Sequence, residues 1–251
     1  GSSRESLSAC QEGLDARRQD AGFAQLSGEL FAVSSLLERE TQLRSTLADS
    51  GQPHSVRDGL VREVLGGKIS QLAIDVVLMA VDRRWSSDLD LVLALELLAD
   101  QAAFTVAEAD GTLDATEEEL FRFGRALDSS SDLQMTLTDP AQSAATKAAV
   151  VRSLLQDRTT AATREVLEYT VGHLHGRRID AVVDDLCELA AKQRERVVVE
   201  AHPHLDMGVA LVGQAHGVAP AAGLQQRGAV ETAVVGPVDR LLGIQPPGQR
   251  A

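Results

Sequence analysis

The sequence predicts an all-α protein: two tandem six-helix bundles joined through a long shared helix, followed by a Gly/Pro-rich irregular tail. Three observations carry this. Aromatic residues are 3% of the 251, β-branched runs are short, and Leu and Ala recur at three- and four-residue spacings, as amphipathic helices require. The chain also repeats itself. "LADSGQPHSVRDGLVREVLGGK" (47–68) returns ninety residues later as "LTDPAQSAATKAAVVRSLLQDR" (137–158), with Leu47/Leu137, Asp49/Asp139, Gln52/Gln142, Val61/Val151, Arg62/Arg152 and Leu65/Leu155 identical. The same offset aligns Leu30-Phe31 with Leu120-Phe121, and Val81 with Val171. Solenoid repeats run roughly 20 to 50 residues, so ninety reads as a duplicated small domain. The expected division is 1–90 for the first bundle, 91–200 for the second, with the helix over 88–109 shared, and 201–251 for the tail.

The elements follow in order. Ser70 is placed to cap a helix through Val77, Leu78 and Val81, and Thr160 repeats it ahead of Val166, Leu167 and Val171. Trp85-Ser86 and Gly176 read as the matching stops. Ser87, followed by Asp88 and Asp90 where the helix dipole favours carboxylates, opens a helix carrying Leu89, Val92, Leu93 and Leu97 toward Ala107, and Gly111 ends it. Roughly 22 residues at 1.5 Å each span about 33 Å, enough to close one bundle and open the next. Asp114 with Glu117 predicts a capping-box start for the helix of Leu120, Phe121, Phe123 and Leu127. A short piece over 133–137 and the repeated helix near 144–155 come next. The last strong helix starts after Gly176, carries Ile179, Val182, Val183, Leu186 and Leu189, and runs through "AAKQRER".

Residues 201–251 differ in kind. They hold eight of the twenty Gly and five of the seven Pro, with three acidic and three basic residues, so the whole −13 charge resides on 1–200. Such a segment interrupts every period and is expected to be loosely ordered.

Composition excludes several functions. An excess of 37 acidic over 24 basic residues opposes phosphate backbones, so nucleic acid is not an expected partner. Cys10 and Cys187 lack metal-ligand spacing, which leaves no disulfide framework or zinc site to propose. The uncharged stretch 207–224 is broken by Gly, Gln, His and Pro, so direct membrane insertion is not expected, and no signal-peptide pattern opens the sequence.

No stretch reads as a catalytic constellation, and neither a metal nor a cofactor is expected. His173 and His175 in "GHLHG" have no partner at a ligand spacing and are assigned to a surface or to the negative end of a helix dipole. His202 and His204 lie in the irregular tail. The carboxylates 117–119 at a helix start are read as solvated and matched to the dipole. "VLGGK" lacks the strand and spacing of a phosphate loop and becomes "LLQDR" in the second copy. Cys187, in an apolar stripe, is read as a buried, inert thiol.

"EEELFRFGRALDSSSDLQMTLTDPAQSAATKAAVVRSLL" and "HGRRIDAVVDDLCELAAKQRERVVVE" resemble the delta subunit of the F-type ATP synthase, in the actinobacterial form that carries an extra N-terminal bundle. The resemblance covers roughly residues 4 to 200 and lies in the order of many segments. It implies a non-catalytic stator part that ties the catalytic head to the peripheral stalk, located peripherally at the cytoplasmic face of the plasma membrane. It also implies that the N-terminal segment of an alpha subunit is held in a groove between the first and fifth helices of a bundle. On this sequence those positions are Ala99 and Ala102 on the first helix and Leu167 and Val171 on the fifth helix of the second bundle. The fifth helix of the first bundle offers Leu78 and Val81. The family continues into a domain with "DPxxxGG" and "GDxxIDGS", which contacts the b subunit. Neither motif follows Glu200, and the Gly-Ala-Val-Pro-Arg mixture found there resembles GC-rich DNA translated in another frame. Binding to b is therefore doubtful. The alternative is a stand-alone helical module that regulates another protein by binding it.

Overall fold

The computed structural model describes residues 2–201, with side chains through Arg196. Residues 202–251, with His202, His204 and His216, lie outside the described residues, so the loosely ordered segment and the frame change stay expectations. All regular structure among the described residues is helical. The helices are α1 (Ser2–Asp15), α2 (Phe23–Arg39), α3 (Thr41–Ala48), α4 (His54–Leu65), α5 (Gln71–Val81), α6 (Asp88–Ala109), α7 (Leu113–Ser129), α8 (Ser131–Thr138), α9 (Ala144–Leu155), α10 (Ala161–Thr170) and α11 (Ile179–Ala201).

The ninety-residue period is visible in these bounds. Adding ninety to both ends of α2, α3 and α4 gives α7, α8 and α9, and α10 starts ninety residues after α5. Packing repeats as well. α2 lies on α6 as α7 lies on α11, α4 on α5 as α9 on α10, and α1 on α5 as α6 on α10. The α6 helix packs on helices from both sides of it in the chain, α1, α2, α3 and α5 before it and α7, α10 and α11 after it.

The identical residues explain themselves at this level. Leu47, Val61 and Leu65, and likewise Leu137, Val151 and Leu155, are buried. Asp49 accepts the Gly51 N–H at 2.8 Å and Asp139 accepts the Ala141 N–H at 2.8 Å, the same side-chain turn that leads the chain into the following helix. Ser70 Oγ accepts the Ala73 N–H at 3.1 Å, and Thr160 Oγ1 accepts the Thr163 N–H at 3.2 Å, so both predicted caps are made.

At its start α6 is capped by Ser87, whose Oγ accepts the Asp90 N–H at 3.2 Å. It stops at Gly111, whose φ of 72° is a left-handed conformation that costs a residue with a Cβ. Thr112 N–H then reaches back to the Ala107 carbonyl at 2.8 Å and Gly111 N–H to Glu108 at 3.1 Å, satisfying the last free carbonyls. Thirteen of its 22 residues are buried, from Leu91 to Ala107, and they lie around the whole helix, as befits one that packs against both halves.

Three expected boundaries shift. α5 ends at Val81 and α10 at Thr170, each several residues before the predicted stop. Thr112, not Asp114, precedes the first turn of α7, and no side chain caps it. Glu117 instead reaches Arg194 on α11 at 3.2 Å, so the expected capping box is replaced by a contact between helices.

Candidate protein-docking site

Five of the six positions assigned to partner binding are enclosed. Ala99, Ala102, Leu167 and Val81 have no exposed surface and Val171 has 1%. Leu78 is partly buried against the same core. Ala99 and Ala102 sit on the central helix, where a small side chain lets neighbouring helices approach.

The two halves meet across a polar junction that spacing arguments missed. Phe31 on α2 stacks on Tyr169 of α10, centroids 4.1 Å apart, and Tyr169 stacks in turn on His173 at 3.9 Å with an interplanar angle of 1°. The Tyr169 hydroxyl donates to Glu96 Oε1 at 2.8 Å, and burial with the nearby carboxylates pushes its pKa upward. His175 Nε2 lies 2.8 Å from Glu96 Oε1, and its Nδ1 is 3.6 Å from Glu38. His173 Nδ1 donates to the Tyr169 carbonyl at 2.7 Å, and its Nε2 is 3.5 Å from Glu38.

The surface role expected of these histidines is therefore corrected, while His173 takes the helix-end role, its Nδ1 on a carbonyl of the last turn of α10. The His175 side chain is 6% exposed and bridges carboxylates from α2 and α6, which raises its pKa through the Glu96 hydrogen bond against the opposing effect of burial. The sequence signal was available only as a single acid, Glu96, interrupting the apolar run 91–99. Cys187 is half-buried where full burial was expected, and burial with Asp184 and Glu117 pushes its thiol up to about 11, in keeping with the inert thiol expected. The carboxylates over 117–119 are divided in role. Glu118 is exposed in an ion pair with Arg122, whereas Glu119 accepts from Thr160 and Thr163.

Beside the junction a cleft of about 630 Å³ opens. Its floor is α6, contributing Leu93, Leu97 and Asp100, and its walls are α1, with Leu7, and α11, with Leu186 and Leu189. Ser3 donates to Asp90 at 2.7 Å and Gln101 to Asp15 at 3.1 Å, so α1 and α6 run in the same direction. Beyond one end, Arg196 of α11 pairs with Asp15 of α1, and Glu108 of α6 accepts from Arg18 at 2.6 Å and from Gln193. Asp100 differs from the other acids of the cleft. Its Oδ1 is sealed from solvent without a hydrogen-bond partner. Burial, Glu96 and Glu165 hold its carboxyl well above the usual range, with Arg177 opposing.

Among the described residues no set of three or more His, Cys, Asp or Glu could hold a metal ion, and no helix is long and apolar enough to cross a membrane. The arrangement offers apolar surface, buried acids and helix faces, which suit protein contact.

Comparison with known proteins agrees in kind. Residues 100–204 match the family model of the ATP synthase delta (OSCP) subunit. The ATP synthase subunit delta of Streptomyces avermitilis is 40% identical over 200 residues, covering 79% of this chain and 73% of that protein. The Streptomyces coelicolor protein of the same name is 40% identical over 202 residues, with the same coverages. That of Nocardia farcinica is 37% identical over 212 residues, covering 84% and 75%. On this likeness across both halves of the helical body, the chain belongs to the ATP synthase delta (OSCP) subunit family, whose members are non-catalytic components of that complex.

Proposed function

We propose that this chain is a stator tether of the F-type ATP synthase, in which residues 1–90 and 91–200 form two bundles around α6 and at least one grips the N-terminal segment of an alpha subunit. Its work is mechanical: holding the catalytic head against rotor torque during proton-driven ATP synthesis. The observation that carries the reading is the 40% identity over 200 residues to a delta subunit, which spans both copies of the duplicated unit. Two grips raise avidity when both engage at once.

In this reading the alpha segment lies over the faces marked by Leu167, Val171, Ala99 and Ala102 in the second half, and by Leu78 and Val81 in the first. Only Leu78 among them is partly exposed, so the segment rides the rim of these helices or parts them slightly. The b subunit is a poor partner, because neither "DPxxxGG" nor "GDxxIDGS" follows Glu200. The protein sits peripherally at the cytoplasmic face of the plasma membrane, held there through the complex.

Calorimetry of the full chain against synthetic peptides from the alpha N-terminus and the b C-terminus tests this. Saturable binding of the alpha peptide with little or none of b is expected. Absence of alpha binding overturns the tether, and tight b binding overturns the assigned loss of the stalk contact.

A further inference from the structure

Two imidazoles and two carboxylates from three parts of the chain close the joint between the halves. Glu38, on the last turn of α2, has one carboxylate oxygen 3.5 Å from His173 Nε2 and the other 3.6 Å from His175 Nδ1. His175 reaches on with Nε2 to Glu96 of α6 at 2.8 Å. Both histidines stand on the link 171–178 between α10 and α11. The repeat holds no second set: at the ninety-residue offset Asp128 answers Glu38, and Arg83 and Trp85 answer the two histidines. The cluster therefore belongs to the meeting of the halves and not to the core that each half repeats. The link's own main-chain bonds are local turns, His173 N–H to the Thr170 carbonyl at 3.0 Å and Arg177 N–H to Leu174 at 2.9 Å. At His175 the backbone stands at φ 52°, a left-handed conformation that a residue with a Cβ adopts when its surroundings hold it there. What holds it is the imidazole, enclosed between Glu96 and Glu38.

Geometry also fixes the charge. In a neutral imidazole one ring nitrogen carries a proton and the other a lone pair. Each His175 nitrogen faces a carboxylate oxygen, so a neutral ring turns a lone pair on one of them, and only the imidazolium suits both. Three other polar groups surround the ring. The Tyr169 hydroxyl of α10 donates to the same Glu96 oxygen at 2.8 Å, His173 flanks Glu38, and Arg177 is drawn off by Asp185 at 3.2 Å. Asp100 of α6 interacts with Glu96 and Arg177 rather than with the ring. The Glu96 hydrogen bond raises the His175 pKa, burial opposes it, and the charges of Glu96 and Glu38 add to the rise against Arg177.

We propose that His175 is a proton-operated latch: as imidazolium it pins the α10–α11 link to Glu38 of α2 and Glu96 of α6, and on losing its proton to solvent it frees the link, loosening one half from the other while the helices stay folded. Deprotonation leaves two carboxylates facing across a neutral ring, and relief of the left-handed backbone at His175 adds to the drive to open. The latch is a property of this chain alone and stands or falls without the tether reading.

Amide hydrogen exchange of the full chain from about pH 5.5 to 8.5, corrected for the pH dependence of chemical exchange, tests it beside an NMR titration of the His175 ring. Protection over the link is expected to fall about threefold or more, with the same midpoint as the ring. Because the opening is local, link exchange should not respond to urea below the unfolding transition, whereas exchange in the buried core of α6 should. His175→Asn suits the left-handed backbone but carries no proton, and should leave the link equally unprotected at every pH. Glu38→Gln, at a side chain 35% exposed, keeps the fold and should lower both midpoints together. A pH step that survives His175→Asn, midpoints that Glu38→Gln leaves in place, or a link whose protection stays level while the ring titrates overturns the proposal. So does link exchange that matches the α6 core in rate and urea response, because the proton would then act on global unfolding alone.

Discussion

Phe31 stacks on Tyr169 across the boundary between the two halves, and it is 5% exposed, while its duplicate Phe121 is 58% exposed. One residue type at one repeat position thus has two fates, decided by what packs on it. Gly28, one turn before Phe31, leaves room for α10: a Cβ there would meet Glu165 Oε1 at 3.1 Å. The second copy carries Glu118 instead, exposed and paired with Arg122. Phe31→Ala should therefore cost about 3 to 5 kcal/mol, as for other buried aromatics. Phe121→Ala should stay within about 0.5 kcal/mol. Urea unfolding of the two variants checks the contrast, and equal costs would refute the assignment of Phe31 to the junction.

Glu29 and Glu119 clamp the starts of α5 and α10 in the same way. Glu29 accepts from the Ser70 N–H and hydroxyl, both at 2.7 Å. Glu119 accepts from the Thr160 N–H at 3.0 Å, its hydroxyl at 3.1 Å, and additionally Thr163 Oγ1 at 2.6 Å. Removing a charged acceptor from partly buried donors costs about 1 to 3 kcal/mol. Glu119→Ala should lie above Glu29→Ala within that range, because Thr163 loses its acceptor too. Thermal melts of both, with Glu119→Gln as the isosteric control, decide it.

How much was legible follows from which contacts are local. The helices, both Ser/Thr caps and the Gly111 stop were readable because periodicity, capping and left-handed turns act within a few residues. The duplication was readable because the cores of both copies need Leu and Val at the same places, as Val61 and Val151 demonstrate. The junction was not. Glu96 and His175 are 79 residues apart, and Glu38 and His175 further still, so no spacing rule joins them. Glu119 was misread for the same reason: its partner Thr160 lies 41 residues on, and locally it is one more acid at a helix start. The six positions carried over by family likeness gave helix faces, and only packing could tell that Val171 is enclosed and Leu78 partly open.

The two thiols should differ in reach and share slow chemistry. Burial raises the Cys10 pKa against the opposing Arg83, and Cys187 is pushed up to about 11, so little thiolate exists near neutral pH. Alkylation of the native chain at pH 7.5 should be slow at both, with Cys187 modified first because Cys10 has no exposed surface. Mass spectrometry of timed samples reads the order. Prior modification of Cys10 would contradict the packing of α1 on α5.

Stability should fall as pH rises from about 5.5 to 8.5, and the junction gives the sign. His175 has a raised pKa, from Glu96 first and Glu38 after, with burial and Arg177 opposing. A raised group contributes stability that is complete below its unfolded value, about 6.5 for histidine, and lost as pH climbs through the folded value. Asp100 and Glu165 are raised as well, mainly by burial, so they too hold protons more tightly in the fold and erode stability as they ionise. Asp88, Asp180 and Glu188 are lowered by their cation partners and titrate below this window, where their opposite slope does not intrude. Asp100→Asn should then raise stability by about 1 to 3 kcal/mol at pH 8 and flatten the profile. His175→Gln should lower stability by a similar ~1 to 3 kcal/mol at pH 5.5, because it leaves Glu96 buried without its cation. Urea unfolding across the window, on both variants and the parent chain, measures the slopes. A parent profile that rises between pH 6 and 8, or one that Asp100→Asn leaves unchanged, would show that the proton at this joint is not held as the geometry requires.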